Sequence, residues 1–130
     1  MIESKKARAA RNRRLLLQYG ISADDYDAVL HWQGGVCYIC QAPPKNVRLA
    51  ADHHHRTGLF RGLVCWTCNR AIAYLRDNRE RALRASEYLS EFPPSFRALG
   101  CLVYGRVGRS SRKWTKKERR ERLATVADRL

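Results

Sequence analysis

Four of the five cysteines in this 130-residue chain form two Cys-x-x-Cys pairs, Cys37 with Cys40 and Cys65 with Cys68, with 24 residues between the pairs. A Cys-x-x-Cys turn aims two thiolates at one point, and two such turns complete the tetrahedral shell of a structural zinc ion. A thioredoxin-like redox pair needs only one motif and a βαβ setting, and plain buried cysteines need no spacing, so the doubled motif points to zinc. Zinc also supplies folding energy that a small, heavily charged core lacks. Cys101 is left over and reads as a small hydrophobe rather than a ligand.

Between the pairs lies the run Asp52-His53-His54-His55, and Asn69 follows the second pair directly. Several chemistries suit such a cluster. A short histidine run can be a solvated turn, with Asp52 capping it through its side chain. Neutral imidazoles also suit a second transition metal, zinc, copper or nickel, and the run can supply phosphate contacts. The neighbours favour a catalytic reading. Asp52 and His53 end an expected strand and Asn69 opens the following helix, and a closed ββα hairpin brings those two ends together. A carboxylate and an amide oxygen at one point hold a hard cation such as Mg²⁺ or Mn²⁺. An adjacent imidazole, ordinarily titrating near about 6.5, can deprotonate water close to neutral pH. Phosphodiester cleavage needs both parts, a base to make the nucleophile and a cation to stabilise phosphoryl charge.

Local signals give the elements that carry these residues. Lys5 to Tyr19 is rich in helix formers and stops at Gly20. Ser22 caps a second helix, with Asp24 and Asp25 in its first turn and Tyr26, Val29 and Leu30 on its packing face. Gln33-Gly34-Gly35 ends that helix and delivers the chain to Cys37, and Ala42-Pro43-Pro44 is a loop. Arg48 to Ala51 reads as a strand entering the histidine run and Leu59 to Val64 as one leaving it, with Thr57-Gly58 at the bend. Helical spacing resumes after Cys68 at Ala71 and Leu75, and a further helix runs from about Arg79 to Leu89 before Pro93-Pro94. Gly100 to Gly108 is looser. Thr115 and Glu118 then form a capping box that opens a basic terminal helix with Leu123, Val126, Ala127 and Leu130 at helical spacing.

Charge separates these parts. Lys and Arg number 26 against 12 Asp and Glu, a formal net of +14. Residues 1–20 net +5, residues 21–60 net −1, residues 61–90 net +3 and residues 91–130 net +7. A nearly neutral middle therefore lies between two basic arms, an arrangement suited to a polyanion. Apolar clusters as short as Leu15 to Leu17 exclude a membrane span, and three leucines are too few for a secretory signal core. A soluble, intracellular protein that handles nucleic acid is expected.

The string Tyr19-Gly20-Ile21, Gly34-Gly35-Val36-Cys37-x-x-Cys40, Asp52-His53-x-His55, Thr57-Gly58, Arg61-Gly62-Leu63-Val64-Cys65-x-x-Cys68-Asn69 closely resembles the phage recombination endonuclease VII family, one of the HNH or His-Me finger nucleases. The match covers about Tyr19 to Leu75 and, more loosely, the helix to Leu89. The resemblance implies that His53 is the general base and that Asp52 and Asn69 hold the catalytic Mg²⁺ or Mn²⁺. His55 matches a histidine that contacts the scissile phosphate, and the four cysteines match the ligands of structural zinc. It implies cleavage of branched DNA, including four-way junctions, by a homodimer that leaves 5′-phosphate ends. In this chain His54 stands where an Asp is common, and Ala71 and Ile72 offer no acid after Asn69. Both departures bear on the metal rather than on the base.

The expected fold is therefore α+β, a small zinc-stabilised ββα-metal core flanked by basic helices. Residues 1–18 form a basic helix, residues 19–90 the nuclease core and residues 91–130 a basic extension. Its action would be one-metal hydrolysis of DNA, in the host cytoplasm if the chain is phage-encoded. Arg56, Arg61 and Arg70 are candidate phosphate contacts. Lys113, Lys116, Lys117, Arg119, Arg120 and Arg122 are placed to track a DNA backbone. The terminal helix is read three ways: its cations track DNA, it is a solvated helix whose apolar stripe packs on the core, or that stripe is a dimer contact. The alternative function is a zinc-scaffolded DNA-binding module without catalysis, a phage regulator or packaging accessory, which does not require Asp52, His53 and Asn69.

Overall fold

A computed structural model describes residues 2–105 and 113–127 of the chain. Leu130 of the terminal stripe, the side chains of Arg122, Val126 and Ala127, and Gly108 of the glycine-rich piece lie outside the described residues. The chain divides into two compact units, Met1–Ser90 and Glu91–Leu130.

In the first unit, α1 (Lys5–Tyr19) and α2 (Ala23–Trp32) precede a hairpin of β1 (Ala50–His53) and β2 (Phe60–Val64), followed by α3 (Trp66–Tyr74) and α4 (Arg79–Tyr88). Both ends of α1 are set by local chemistry. The Ser4 hydroxyl accepts from the Ala7 N–H at 3.1 Å, and Gly20, at φ 70°, takes the left-handed conformation that returns its N–H to Leu16 O. Helix α2 opens on a complete capping box: the Asp25 N–H donates to Ser22 Oγ at 2.9 Å, and the Ser22 N–H donates to the Asp25 carboxylate at 2.7 Å. That carboxylate is held below its usual range by the Ser22 backbone N–H and hydroxyl.

The core gathers Leu15, Ile21, Ala23, Tyr26, Leu49, Ala51, Leu63 and Val64 around Cys37 and Cys68. Both strands and helices α1, α2 and α3 contribute to it, with α1 packed on α2, α2 on β2 and α3 on β1. The Tyr26 hydroxyl, which burial keeps protonated above its ordinary range, donates to Leu49 O at 2.6 Å. Gln33 stitches the first cysteine loop to the sheet, because its amide donates to Val36 O and Leu63 O at 2.9 Å each and accepts from the Leu63 N–H at 3.0 Å. Gly62 permits this approach. Its φ is +152°, and a Cβ there would lie 3.1 Å from Gln33 Oε1.

The basic first helix is partly consumed inside the fold. Arg11 is 7 % exposed, donates to Glu3 at 3.0 and 3.1 Å, reaches Asp27 at 3.4 Å and lies 5.4 Å from the centre of the Tyr26 ring. Arg8 binds Asp27 at 2.8 Å and also Asp24. Two of the six cations in the expected N-terminal clamp thus hold α1 against α2.

β1 and β2 pair antiparallel, Ala50 with Val64, Ala51 with Leu63, Asp52 with Gly62 and His53 with Phe60. Arg61 has no opposite residue in the ladder, a bulge beside Asp52 and His53. The first strand begins later than expected and carries Asp52 and His53 within it. Helix α3 starts at Trp66 instead of after Cys68, because Cys65 is its N-cap.

The second unit holds α5 (Pro94–Leu99) and α6 (Lys116–Ala127). Pro93-Pro94, expected only to break the chain, does more: Pro94 starts α5, where its missing N–H costs nothing. The Thr115–Glu118 capping box forms, with bonds of 2.7 and 3.2 Å. Among the described residues no helix is long and apolar enough to cross a membrane.

Candidate metal and catalytic site

The first cysteine pair sits on a tight loop after α2, where the Cys37 N–H donates to Ala42 O and the Gln41 N–H returns to Cys37 O. The second pair spans the start of α3: the Cys65 sulfur accepts from the Cys68 N–H at 3.4 Å, as a cap does. The loop is fixed to the sheet through the Tyr38 N–H and Leu63 O, so the four sulfurs converge, all within 4.8 Å of one another. Cys40 and Cys65 stand 3.8 Å apart. A tetrahedron with Zn–S bonds of about 2.3 Å has edges of about 3.8 Å.

The thiols bear out the need for a cation. Burial works against ionising Cys37, yet the backbone N–H groups of Cys65, Cys40 and Ile39 outweigh it and lower the thiol to about 6. Cys68 is pushed up to about 12 by burial and by the sulfurs of Cys65, Cys37 and Cys40. A first thiolate is favoured and a second is opposed by burial and the neighbouring sulfurs, a charge that a bound cation would offset. The four cysteines are positioned to bind a structural metal ion, and a soft donor set of four sulfurs is consistent with zinc. Cys101 is exposed.

The histidine run divides its labour. His54 closes the hairpin loop: its Nδ1 accepts from the Arg56 and Thr57 N–H groups at 3.2 Å each, and its backbone bonds Leu59 and Gly58. His53 and His55 lie on the other side, their rings stacked with centroids 5.2 Å apart and 12° between planes. The Tyr19 ring meets His53 edge-on at 5.3 Å. The His53 imidazole is half-buried and lies between the rings of Tyr19 and His55.

Asp52 is buried, and its partner is Arg61. The Arg61 Nε donates to Asp52 Oδ2 at 2.7 Å and Nη2 donates to Oδ1 at 3.1 Å, while Nη2 also reaches Asp77 Oδ1 at 3.0 Å. Hydrogen bonding to Asp52 raises the Arg61 guanidinium above its ordinary range, and Asp77 adds to the rise. Asp77 follows Arg76 in a left-handed turn, φ 52° and 55°, after α3. Asn69 lies half-buried in the first turn of α3, its N–H bonded to Cys65 O, on a helix that packs against β1.

Asp52 and Asn69 fit a hard divalent cation in donor type, because a carboxylate doubly bonded to one guanidinium keeps further lone pairs. The negative charge, however, is already matched by Arg61. Among the described residues the four cysteines are the only convergent group of three or more His, Cys, Asp or Glu ligands.

Of the candidate phosphate contacts, Arg56 and Arg70 are exposed, whereas Arg61 is tied to Asp52 and Asp77. Lys113, Lys116, Lys117, Arg119 and Arg120 are exposed in the second unit, with Lys117 3.9 Å from Glu121. Sequence reasoning missed Arg61 as the partner of Asp52. An acid and an arginine on neighbouring strands were the available signal, but the bulge that brings them together is invisible in the sequence.

The recombination endonuclease VII family matches residues 12–91. The Gene 59 protein of Mycobacterium phage D29 is 45% identical over 102 residues, covering 75% of this chain and 61% of that protein. The Gene 59 protein of Mycobacterium phage L5 is 46% identical over 89 residues, covering 67% of this chain and 54% of that protein. The chain thus spans about three-fifths or less of the length of these curated relatives. No solved structure matches it.

Proposed function

The chain belongs to the recombination endonuclease VII family, and from that membership we propose that it is an HNH-type, His-Me finger DNA endonuclease that hydrolyses phosphodiesters of branched DNA, four-way junctions included. The observation that carries the reading is His53, oriented between Tyr19 and His55 on the strand beside a four-cysteine metal cluster.

In this reading the cysteine cluster is scaffold: it fixes the start of α3 against the loop after α2, and α3 lies along β1. His53 takes a proton from a water whose oxygen attacks phosphorus in line with the leaving oxygen. His55, two residues beyond the ring it stacks on, orients the scissile phosphate. Asp52 and Asn69 are the residues that would hold a divalent cation, Mg²⁺ or Mn²⁺. The chemistry such a cation supplies when bound is stabilisation of charge on the phosphoryl and leaving oxygens. Arg61 holds the Asp52 carboxylate in place through its two hydrogen bonds. A homodimer would suit paired cuts at a two-fold junction.

The test is Mg²⁺-dependent cleavage of a synthetic four-way junction, a mismatched duplex and a plain duplex in parallel. Cutting concentrated at the branch supports the proposal. Binding without cutting, with or without Mg²⁺, would favour the non-catalytic DNA-binding module.

A further inference from the structure

On the side of the sheet where Tyr19 meets His53, a cleft of about 510 Å³ runs between α1, the chain leading into β1, and the start of α3. Its rim carries Arg14 and Gln18 from α1, Arg48 before β1, and Trp66 at the first position of α3. Its floor is core, including Leu15, Leu49 and Ala51. Three features make it a built site. Trp66 sits between two ligating cysteines, so its backbone is fixed, yet the residue is 58 % exposed. Trp32 stacks on Tyr38, whereas Trp66 has no ring partner among the described residues. Arg14 is exposed and has no carboxylate partner among the described residues, and Arg48 is half-exposed with only a 3.4 Å contact to Glu3.

A rigid, bare indole beside two arginines is the pairing that binds unpaired nucleic acid, with the base on the ring and phosphates on the cations. Only a base that has left the duplex can stack on the indole in this cleft. Its volume lies within the about 300–1,000 Å³ of ordinary ligand pockets. Tyr19 both lines the cleft and touches His53, so a strand lying there presents its next phosphate to His53.

We propose that this cleft is the subsite for an unpaired DNA nucleotide flanking the scissile phosphate, with Trp66 as its stacking platform and Arg14 and Arg48 as its phosphate contacts. The proposal rests on the nuclease reading and gives it a physical basis for choosing branch points, where a nucleotide leaves the stack at low cost.

The test reads Trp66 fluorescence in a Trp32→Phe/Trp114→Phe chain loaded with zinc, in EDTA-free buffer without Mg²⁺. Oligothymidine and a duplex with a thymidine flap should quench it, and a blunt two-strand duplex should not. Trp66→Ala should weaken flap binding by about 5- to 150-fold, the span of one base stack, while Trp66→Phe retains most of it. Zinc content and circular dichroism verify each variant. Flap binding with unchanged Trp66 emission, or equal losses on flap and blunt two-strand duplex, would overturn the subsite. Stronger quenching by oligouridine would assign the cleft to RNA and overturn it as a DNA site. Quenching by the flap in a protein that never cuts would leave the subsite standing and remove the nuclease reading. Absence of any DNA binding would remove both.

Discussion

Replacing Arg61 by Gln tests the least expected bond in the molecule. The Asp52 side chain is 7 % exposed and Arg61 is 27 % exposed. Removing one partner of a buried pair typically costs about 3–5 kcal/mol, because the remaining charge is stranded. Arg61 lines an open cleft with Asp52 and Asp77, so water can partly replace it. The Asp77 contact, nearer the surface, adds no more than about 1 kcal/mol. The expected loss is about 3 kcal/mol. With a urea m-value of about 1–2 kcal/mol/M, the unfolding midpoint falls by roughly 1.5–3 M at unchanged slope. Arg61→Lys, a point charge without the fork, should recover only part of this. Asp52→Asn combined with Arg61→Gln should cost less than the two single losses added together, because neither variant then strands a charge. A loss below about 1 kcal/mol, or strict additivity in that cycle, would refute the assignment of Arg61 as the buried partner of Asp52.

Three further outcomes follow from other parts of the fold. Cys65→Ser, or exhaustive chelation, should remove the metal and unfold the first unit, because structural zinc contributes about 10–16 kcal/mol in small zinc domains; a zinc-free chain with unchanged circular dichroism would contradict this. Stability should fall as pH drops below about 4.5. Hydrogen bonding to Arg11 lowers Glu3; for Asp27, burial works the other way but Arg8 and Arg11 prevail. Depressed carboxylates contribute stability above their unfolded values and lose it as pH falls through the folded ones. Arg11→Gln should flatten that acid limb, and an unaltered limb would show that the network is not its source. Finally, Ala at Lys116, Lys117 and Arg120 should reduce the log-log salt slope of duplex binding by about 0.9 for every phosphate no longer neutralised, and an unchanged slope would place the DNA elsewhere.

What was legible in the sequence was what short-range chemistry decides. Gly20 and the Ser22–Asp25 box set the α1–α2 corner through bonds spanning three or four residues. The cysteine pairs announced their own convergence, since a ligand set of that geometry has few other uses. What was hidden depends on bonds between distant residues. Arg8 and Arg11 looked like free cations of an arm, but the acids that bind them include Asp24 and Asp27, which become neighbours only after α2 folds back. Arg61 looked like a phosphate contact because nothing in the chain reveals a bulge that turns it onto Asp52. His54 read as part of a chemical run, yet it locks the hairpin loop. Trp66 drew no notice because its significance is its exposure, which emerges only when the core is assembled around it.

The central claim is that His53 is the base of a nuclease, and plasmid nicking measures it most directly. The zinc-loaded chain, given supercoiled plasmid and Mg²⁺, should nick it and stop when EDTA is added. His53→Ala should bind DNA with unchanged affinity and salt slope but nick at least about a hundredfold more slowly, the lower bound for a general base. His53→Ala that nicks as fast as the parent, or a parent that binds and never nicks, would contradict the account.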